Sequence, residues 1–408
     1  MAKRRALILV EGTRSNGPLY VKAARRLGLH PIILSADPNR YDYHAPERLE
    51  AIRVDTHDLD ALIHKCSLLQ EAYDIAGITG PLDAVCATVG RLCRHFDLPG
   101  PDPASIERCC DKFTQRQLLA AAGVPIPAYR LARDGMEVES SATEIGLPVI
   151  VKPAAGSGSC GVRLCRNVDE LAKHAAYLLS GEPTWGSSPR ILIEEFAQGP
   201  YYCAEIMGNE VIGISASDFG PSPHFVFRTS TFPAPLTAEE HARIADVSLS
   251  CLQALSLGWG PTCIEFRWTK RGPVVIEVNP RLAGGTNPRR VQLACGVDLI
   301  TEHVKLVIGE EWNLHRRHSQ IAVARLLVPD QDGILDWITG DTRAAAISGV
   351  AEVKLYVEPK TPIVRKGDYR DCIGHIIAAS PSRAETEAIL EDAVDLIDWS
   401  ITPFPTLK

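Results

Sequence analysis

The sequence predicts an α/β fold, in which an open and mostly parallel sheet is followed by two regions of mixed helix and strand. Three observations predict it. β-Branched runs alternate with helical patterns over the first hundred residues, a proline-rich stretch ends that alternation, and short strand patterns dominate the remainder. Such alternation is typical of parallel βαβ units. At 408 residues, the chain is long enough for two or three domains.

The first region carries the alternating pattern. Its predicted strands lie at 6–10, 31–35, 51–54 and 74–78, and its first helix at 19–27. The stretch Leu98-Pro-Gly-Pro-Asp-Pro103 opposes continued helix or strand, so it indicates a connection between domains. We therefore expect an N-terminal α/β domain over residues 1–111.

Two further regions follow. A small α+β unit is expected over 112–196, with helices at 112–122 and 168–179 and strands at 147–152 and 191–193. A larger unit is expected over 197–408. Its predicted strands lie at 202–206, 211–215, 262–268, 274–277, 322–327, 351–355 and 373–379, and its predicted helices at 238–255 and 384–398.

Composition excludes several classes of protein. With 45% hydrophobic residues, 23% charged residues and a formal net charge of -7, the chain is not one that coats nucleic acid or an anionic membrane. The apolar run Leu7–Val10 is far too short for a membrane span. The 12 cysteines include no CxxC pair, so we expect reduced thiols in the cytoplasm and neither a zinc site nor a disulfide framework.

A lysine followed by small residues suits nucleotide phosphates. Lys152 ends a predicted strand, and the run up to Gly161 includes Ser157 and Gly158. Glycines let backbone N–H groups close around an anion, and lysine adds a point charge. It is not a P-loop, because the lysine precedes the glycines. A flexible turn would explain the run equally well.

Acidic residues at two later strands suggest a nucleotide base and a metal ion. Glu194-Glu195-Phe196-Ala197 ends an apolar strand and could receive adenine through backbone groups, although strands often end in Glu. Alternation places Glu277 and Asn279 on one face of a strand, where Glu265 of a neighbouring strand could join them. Three oxygen ligands favour Mg²⁺. Arg281 could neutralise a phosphoryl group or a carboxylate, or could simply face solvent.

Taken in order, these motifs resemble the ATP-grasp superfamily. The resemblance rests on Asp111-Lys112-Phe with Gly123-Val-Pro-Ile-Pro127, on Lys152 with its glycine run, on Glu-Glu-Phe, and on the group from Glu265 to Arg281. The phrase Asn279-Pro-Arg-Leu-Ala-Gly-Gly285 is similar to that of dipeptide ligases. The resemblance implies an ATP-grasp architecture: an N-terminal pre-ATP-grasp domain, a small lid and a larger C-terminal domain.

The family's functional residues can be carried over by position. The resemblance implies that Lys112 and Lys152 bind ATP phosphates together with Ser157 and Gly158, that Lys152 and Arg281 serve catalysis, and that residues 194–197 form the adenine hinge. It implies that Glu265 and Glu277 bridge two Mg²⁺ ions, or Mn²⁺ in their place, with Asn279 completing a site. Arg281 and the backbone of Gly284 would then face the acyl phosphate. The pair Gly284-Gly285 could be a turn, but beside Arg281 we expect it to approach the substrate closely.

Two departures from the family pattern concern the ligands. Where the family carries a Gly-x-Glu that holds the ribose, this chain has Gly199-Pro-Tyr201, and Glu205 is the next acid that could do so. Dipeptide ligases usually have an acid and a histidine in the loop before a Pro-Ala step, and these hold the first amino acid and its ammonium group. In this chain an aromatic residue and a cation, Phe227 and Arg228, stand where the acid would be, and His224 is the one histidine of the loop before Pro233-Ala. We hypothesise an acid substrate that lacks a free α-amino group or carries a second carboxylate paired with Arg228. The alternative is that Arg228 faces solvent.

The predicted function is a ligase that joins a small-molecule carboxylate to an amine through an acyl phosphate, at the expense of ATP. One alternative is another activity of the superfamily, such as activation of bicarbonate or formate in a carboxylase-like or purine-pathway enzyme. Another is an ATP-binding protein without catalysis, and the intact set of motifs speaks against it. A homodimer is a family expectation. The segment Gly12–Gly17 lacks the three-glycine spacing of a dinucleotide site.

Overall fold

The computed structural model describes residues 3–41, 43, 49–180 and 190–405. Its strands form four sheets, of four, four, eight and three strands. The mixed α/β fold predicted from the sequence is confirmed. The division into domains at residues 111 and 196 stays a prediction, but each of the three regions has at least one sheet of its own.

The N-terminal region is a parallel sheet in the order β3-β2-β1-β4. Its strands are β1 Arg4–Val10, β2 His30–Ser35, β3 Glu50–Arg53 and β4 Tyr73–Thr79, and its helices are α1 Gly17–Arg26, α2 Leu59–Ala72, α3 Asp83–His95 and α4 Pro103–Cys110. Residues 6–10 of β1 form an unbroken apolar run because both faces of the strand are covered there, Leu7 on one side and Ile8 on the other. All four predicted strands are present.

The small region is an antiparallel sheet in the order β5-β8-β6-β7. Its elements are α5 Lys112–Ala121, β5 Tyr129–Ala132, α6 Gly135–Ile145, β6 Val149–Pro153, β7 Arg163–Cys165, α7 Val168–Leu179 and β8 Ile191–Glu195. Side-chain caps fix where the helices begin: Asp111 accepts from the Thr114 N–H at 2.8 Å, and Asn167 from the Glu170 N–H at 2.9 Å. The sequence patterns did not predict β5, α6 or β7.

The third region is built on the eight-stranded sheet, in the order β13-β12-β9-β10-β11-β14-β18-β16, with a small sheet β17-β15-β19 beside it. Its strands are β9 Tyr201–Met207, β10 Glu210–Phe219, β11 Phe227–Phe232, β12 Pro261–Thr269, β13 Gly272–Asn279, β14 Ile321–Leu327, β15 Gly333–Thr339, β16 Val350–Leu355, β17 Pro362–Ile363, β18 Gly374–Ser380 and β19 Asp398–Thr402. Its helices are α8 Ala238–Leu255, α9 Asn287–Cys295, α10 Leu299–Val307, α11 Asp341–Ala345 and α12 Arg383–Val394.

One predicted helix is too long. The pattern at 384–398 predicts a single helix to the end of that range, but α12 ends at Val394 and Asp398 begins β19. The reason is a tertiary contact: β19 pairs antiparallel with β15, and Ile401 enters the core of the small sheet opposite Leu335. Strand pairing here overrides the helical pattern.

The N-terminal and third regions share a core. Tyr20 and Val21 of α1 pack in one cluster with Leu299 and Val304 of α10. The Tyr20 hydroxyl also lies 2.6 Å from Nδ1 of His303. The first region therefore shares one of its two apolar clusters with α10, whereas the other consists of its own residues alone. Apolar packing of the shared cluster holds the first region against the third.

Candidate active site

A cleft lies between the sheet β5-β8-β6-β7 of the small region and one face of the eight-stranded sheet. It encloses about 950 Å³, part of which is open to solvent. Its lining includes twelve of the residues that the sequence predicts to be functional: Lys112, Lys152, Ser157, Gly158, Glu194, Glu195, Phe196, Ala197, Glu265, Glu277, Asn279 and Arg281. Residues that lie up to 169 positions apart in sequence thus meet in one place.

Strand register brings the acidic residues together. Glu265 of β12 pairs with Glu277 of β13, and Cys263 pairs with Asn279, so the two carboxylates and the Asn279 amide share one face. The Asn279 amide nitrogen lies 3.4 Å from a carboxylate oxygen of Glu265. Burial, reinforced by the charge of Glu277, raises the pKa of Glu265 to about 7. Two facing carboxylates with an amide oxygen donor beside them suit a hard divalent cation, so Mg²⁺ fits this donor set.

Lys112 lies between the acidic pair and the glycine run. Its ammonium group is 2.9 Å from Glu277 and donates to the Gly156 carbonyl at 2.5 Å. Burial tends to lower the pKa of Lys112, but attraction to Glu277, together with Asp83 and Cys110, outweighs it and the pKa is raised. The ammonium therefore stays charged at the mouth of the glycine run, where a phosphate could be bound.

Lys152 belongs to a second buried charge cluster, at the end of β6. Its ammonium lies 2.6 Å from one carboxylate oxygen of Glu194, and Nε of Arg116 lies 2.6 Å from the other. Arg116 is fully buried in α5 and also donates to the Ile276 carbonyl. Burial tends to raise the pKa of Glu194, but Arg116 and Lys152 outweigh it and the pKa is lowered. Through the contact of Arg116 with the Ile276 carbonyl of β13, the cluster links the sheet of the small region to the eight-stranded sheet.

The glycine run takes up conformations that favour glycine. Gly156, Gly158 and Gly161 have φ angles of 133°, 68° and 71°. Ser157 and Gly158 are exposed in the cleft wall. A backbone with several positive φ angles can turn successive N–H groups toward an anion, so the run suits nucleotide phosphates.

Arg281 is positioned by the N-terminal region. Its Nε donates to Oδ2 of Asp83 at 2.8 Å, and Asp83 is the first residue of α3. Burial alone would lower the pKa of Arg281, but attraction to Asp83, together with Cys263 and Glu277, outweighs burial and raises it. Asp83 was missed by the sequence patterns, although a signal exists: it follows the carboxyl end of β4, where ligand-binding residues of open α/β sheets gather.

In the hinge segment, residues 194–197, Glu195 contacts other parts of the protein through its side chain and its backbone. Glu195 forms an ion pair with Arg271 at 2.8 Å, and its backbone N–H donates to the Ala128 carbonyl at 2.9 Å. Phe196 and Ala197 follow it into the cleft wall.

Five predicted site residues do not line the cleft. Glu205 is 1% exposed beneath the loop after Arg281, where the Asn287 amide donates to one of its oxygens. Arg228 faces the opposite side of β11 from Phe227 and donates to the Val328 carbonyl at 2.8 Å. His224 lies against Gly367, and Gly284 and Gly285 are exposed with open space around them. Their predicted roles stay predictions.

Glu205 has two sulfur neighbours. It lies with Cys203 and Cys263 in a buried group whose donor atoms are all within 4.8 Å of one another. The two sulfurs are 2.8 Å apart, and the Cys203 sulfur is 3.3 Å from Glu205. Burial raises the pKa of Glu205 to about 7, and one of its oxygens has no partner among the described residues. All 12 cysteines are free thiols.

The fold and the site together define a class of protein. Buried lysines beside a glycine run, a facing pair of carboxylates and a positioned arginine, all in a cleft between two sheets, are the groups that an ATP-dependent ligase requires. They neutralise phosphate charge and hold a metal ion without any nucleophilic side chain.

Comparison with known proteins gives the family. Residues 145–289 match the ATP-grasp domain, residues 21–100 the ATP-grasp N-terminal domain, and residues 325–402 the L-amino acid ligase C-terminal domain 2. The chain is 62% identical over 404 residues to the uncharacterised protein y4rH of Sinorhizobium fredii, covering 99% of this chain and 84% of the relative. It therefore belongs to the ATP-grasp superfamily, whose members are ligases that use ATP and Mg²⁺.

The chain is also similar to more distant proteins in sequence and in fold. The chain is 25% identical over 411 residues to human carnosine synthase 1, covering 93% of this chain but only 49% of that protein. Its fold matches the crystal structure of L-amino acid ligase from Bacillus licheniformis with a TM-score of 0.82 and 19% identity, covering 98% and 100% of the two chains.

Among the described residues, no helix is long and apolar enough to cross a membrane.

Proposed function

We propose that this protein is an ATP-dependent carboxylate–amine ligase that forms an amide bond and releases ADP and phosphate. The observation that carries the proposal is the meeting, in one cleft, of the Lys112–Glu277 pair, the facing Glu265 and the Arg281–Asp83 pair. Support also comes from the match of residues 325–402 to the L-amino acid ligase C-terminal domain 2, a region outside the ATP-binding motifs.

The proposed reaction has two steps. A carboxylate oxygen of the acid attacks the γ-phosphorus of ATP, so that an acyl phosphate forms and ADP leaves. The amine then attacks the acyl carbon, loses a proton and expels phosphate. Neither step needs a nucleophilic side chain, because both depend on positioning and on neutralising negative charge.

Each charged group has a proposed role in this reaction. Lys112 and Lys152, with the backbone of Ser157 and Gly158, bind the ATP phosphates, and residues 194–197 receive the adenine. Glu265, Glu277 and Asn279 would hold two Mg²⁺ ions, and Mn²⁺ could take their place. The metal supplies neutralisation of phosphate charge when bound. Arg281 approaches the acyl phosphate, and Gly284 and Gly285 leave room for the substrate beside it.

The test is release of ADP and phosphate across a panel of acids crossed with a panel of amines, with bicarbonate and formate among the acids. We expect release to require both partners, and Glu277→Gln to lower kcat by about 100-fold or more because a metal ligand is lost. Glu239→Gln, which changes an exposed carboxylate of α8, is the matched control. Release with bicarbonate alone would favour a carboxylase-like activity, and tight ATP binding without turnover would favour a binding protein.

We also propose that the protein acts in the cytoplasm as a homodimer. Free thiols at all 12 cysteines suit a reducing compartment. Sedimentation equilibrium tests the dimer, and a mass near that of one chain at micromolar concentration would exclude it.

A further inference from the structure

The loop between β13 and α9, residues 280–286, carries Arg281 and ends in a tip with open space around it. Gly284 and Gly285 form the tip and are exposed, and an added Cβ at either would meet nothing within 4 Å. Packing at the tip therefore does not fix the loop. Its position depends on the contacts that its other residues make.

The N-terminal region holds this loop at two points. Arg281 donates to Asp83, the first residue of α3, at 2.8 Å. Further along the loop, the carbonyl of buried Ala283 accepts a hydrogen bond from Nδ2 of Asn16 at 3.1 Å. Asn16 immediately precedes α1. Because α1 and α3 follow β1 and β4, which are neighbouring parallel strands, both contacts come from the same edge of the first sheet.

Asn16 occupies the N-cap position of α1 but does not cap that helix. An asparagine at this position ordinarily accepts a hydrogen bond from a backbone N–H of the first turn, and within the described first turn of α1 its side chain accepts none. Thr13 takes that role instead, because its hydroxyl accepts from the Gly17 N–H at 3.2 Å and from the Asn16 N–H at 3.0 Å. The Asn16 amide is thus available to the Ala283 carbonyl.

The burial of Asn16 indicates that this contact is what the amide supplies. Its side chain is buried, and among the described residues its Oδ1 has no hydrogen-bond partner. A buried amide with one unpaired polar atom costs free energy, so an apolar side chain would fill the same space more favourably. The Ala283 carbonyl can only accept, and Asn16 provides the donor.

We infer that Asn16 is a positioning residue, which holds the Ala283 carbonyl and thereby keeps Arg281 and the backbone of Gly284 beside the acyl phosphate. The inference rests on the proposed ligase function. A displacement of about 1 Å near the reacting atoms can lower the rate about 100-fold. Lys112 and Lys152 belong to the small region, so binding of ATP should not depend on Asn16.

Steady-state kinetics of two variants tests the role, with the acid and amine that the wild type joins. Asn16→Ala removes the amide, whereas Asn16→Asp keeps its shape but turns an acceptor toward the Ala283 carbonyl. We expect both to lower kcat about 10- to 100-fold and to leave the KM for ATP unchanged. Asp58→Ala is the matched control in the same region, because it removes the N-cap contact of α2 at 3.0 Å and should lower stability without lowering kcat.

Hydrogen exchange measured by mass spectrometry tests the contact without any substrate. We expect a peptide that covers residues 281–286 to exchange faster in both Asn16 variants than in the wild type or in Asp58→Ala. Exchange in the glycine run, residues 156–161, should stay the same, since that run belongs to the small region.

Three results would overturn the inference. Wild-type kcat in Asn16→Asp would show that shape alone matters, unchanged exchange over 281–286 would show that Asn16 does not hold the loop, and a raised KM for ATP with unchanged kcat would assign Asn16 to the nucleotide. If Asn16→Asp fails to fold, Asn16→Ala and its exchange decide. Failure of the ligase proposal looks different: the wild type releases no ADP with any acid and amine, while the loop still exchanges faster in the variants.

Discussion

At the scale of single residues, the cleft holds its charges in pairs. Of the basic side chains that line its described part, Lys112, Lys152 and Arg281 already contact carboxylates at 2.6–2.9 Å. Buried charges without such partners would be costly. A phosphate that binds these cations competes with their carboxylate partners, and the pairs therefore lower the strength with which a phosphate binds.

Asp83 should matter to catalysis without touching the reacting atoms. Asp83→Asn removes the charge that positions Arg281, and losing a charge-assisted hydrogen bond costs about 1.5–3 kcal/mol. We expect kcat/KM for ADP release to fall roughly 10- to 100-fold with little change in ATP affinity. Asp37→Asn breaks an exposed pair with Arg53 in the same region and should leave activity unchanged. Equal activity of the two variants would refute the positioning role.

Glu205 makes stability depend on pH in an unusual direction. Its pKa is raised to about 7, mainly by burial, so the folded state favours the protonated form. The stabilisation is complete below the ordinary pKa and is lost as pH rises through about 7. Glu205→Gln should therefore raise the free energy of unfolding at pH 8 by up to about 3 kcal/mol, and hardly change it at pH 4.5. Urea unfolding at the two pH values measures this, with exposed Glu139→Gln as control. A gain that is the same at both pH values would contradict it.

At the scale of elements, one buried cluster joins α5, β6 and β8. Arg116, Glu194 and Lys152 come from these three elements and are 0–5% exposed at their side chains. None of the sequence patterns singled out Arg116, because a cation in an amphipathic helix normally faces solvent. Its role follows from the tertiary structure, in which the Arg116 side chain reaches Glu194 of β8 and the Ile276 carbonyl of β13.

Breaking this cluster should cost much more than breaking a surface pair. Arg116→Met leaves Glu194 short of one partner in the interior, so we expect the free energy of unfolding to fall by about 3–5 kcal/mol and the KM for ATP to rise because Lys152 is drawn toward Glu194. Arg130→Met removes an exposed pair with Glu144 in the same region and should cost less than about 1 kcal/mol. Chemical denaturation compares the two, and similar losses would show that the cluster is not stabilising.

Local patterns and local motifs were predictable, and long-range placement was not. Helices α7 and α8 begin and end where the sequence predicts, since each has a capping residue and a continuous apolar face. The facing of Glu265 and Glu277 follows from strand alternation and one pairing. Asp83 and Arg116 could not be found in that way, because their contacts with Arg281 and with the Ile276 carbonyl join regions whose packing no periodicity specifies.

At the scale of the whole molecule, the third region contacts the small region of residues 112–196. The Tyr369 N–H lies 3.3 Å from the Gly158 carbonyl, and its ring covers the same glycine. The Leu164 N–H of β7 donates to the Pro223 carbonyl at 3.0 Å. The glycine run is therefore held from both sides, by its own sheet and by the segment that contains Tyr369.

Adding a methyl group at Gly158 should disturb this contact and the binding of ATP together. The φ of 68° costs an alanine about 1–2 kcal/mol, and its Cβ would overlap the Tyr369 ring. Gly123→Ala is a matched control, because Gly123 has a φ of 70° and nothing within 4 Å of the added carbon. Both variants should lose similar stability from the backbone, but only Gly158→Ala should raise the KM for ATP, by about 10-fold if the displaced loop forfeits one phosphate contact. Removing the ring in the double variant Gly158→Ala/Tyr369→Ala should recover part of that loss. If the double variant binds ATP no better than Gly158→Ala, the backbone strain alone explains the defect, and the contact between the third region and the glycine run does not contribute to nucleotide binding.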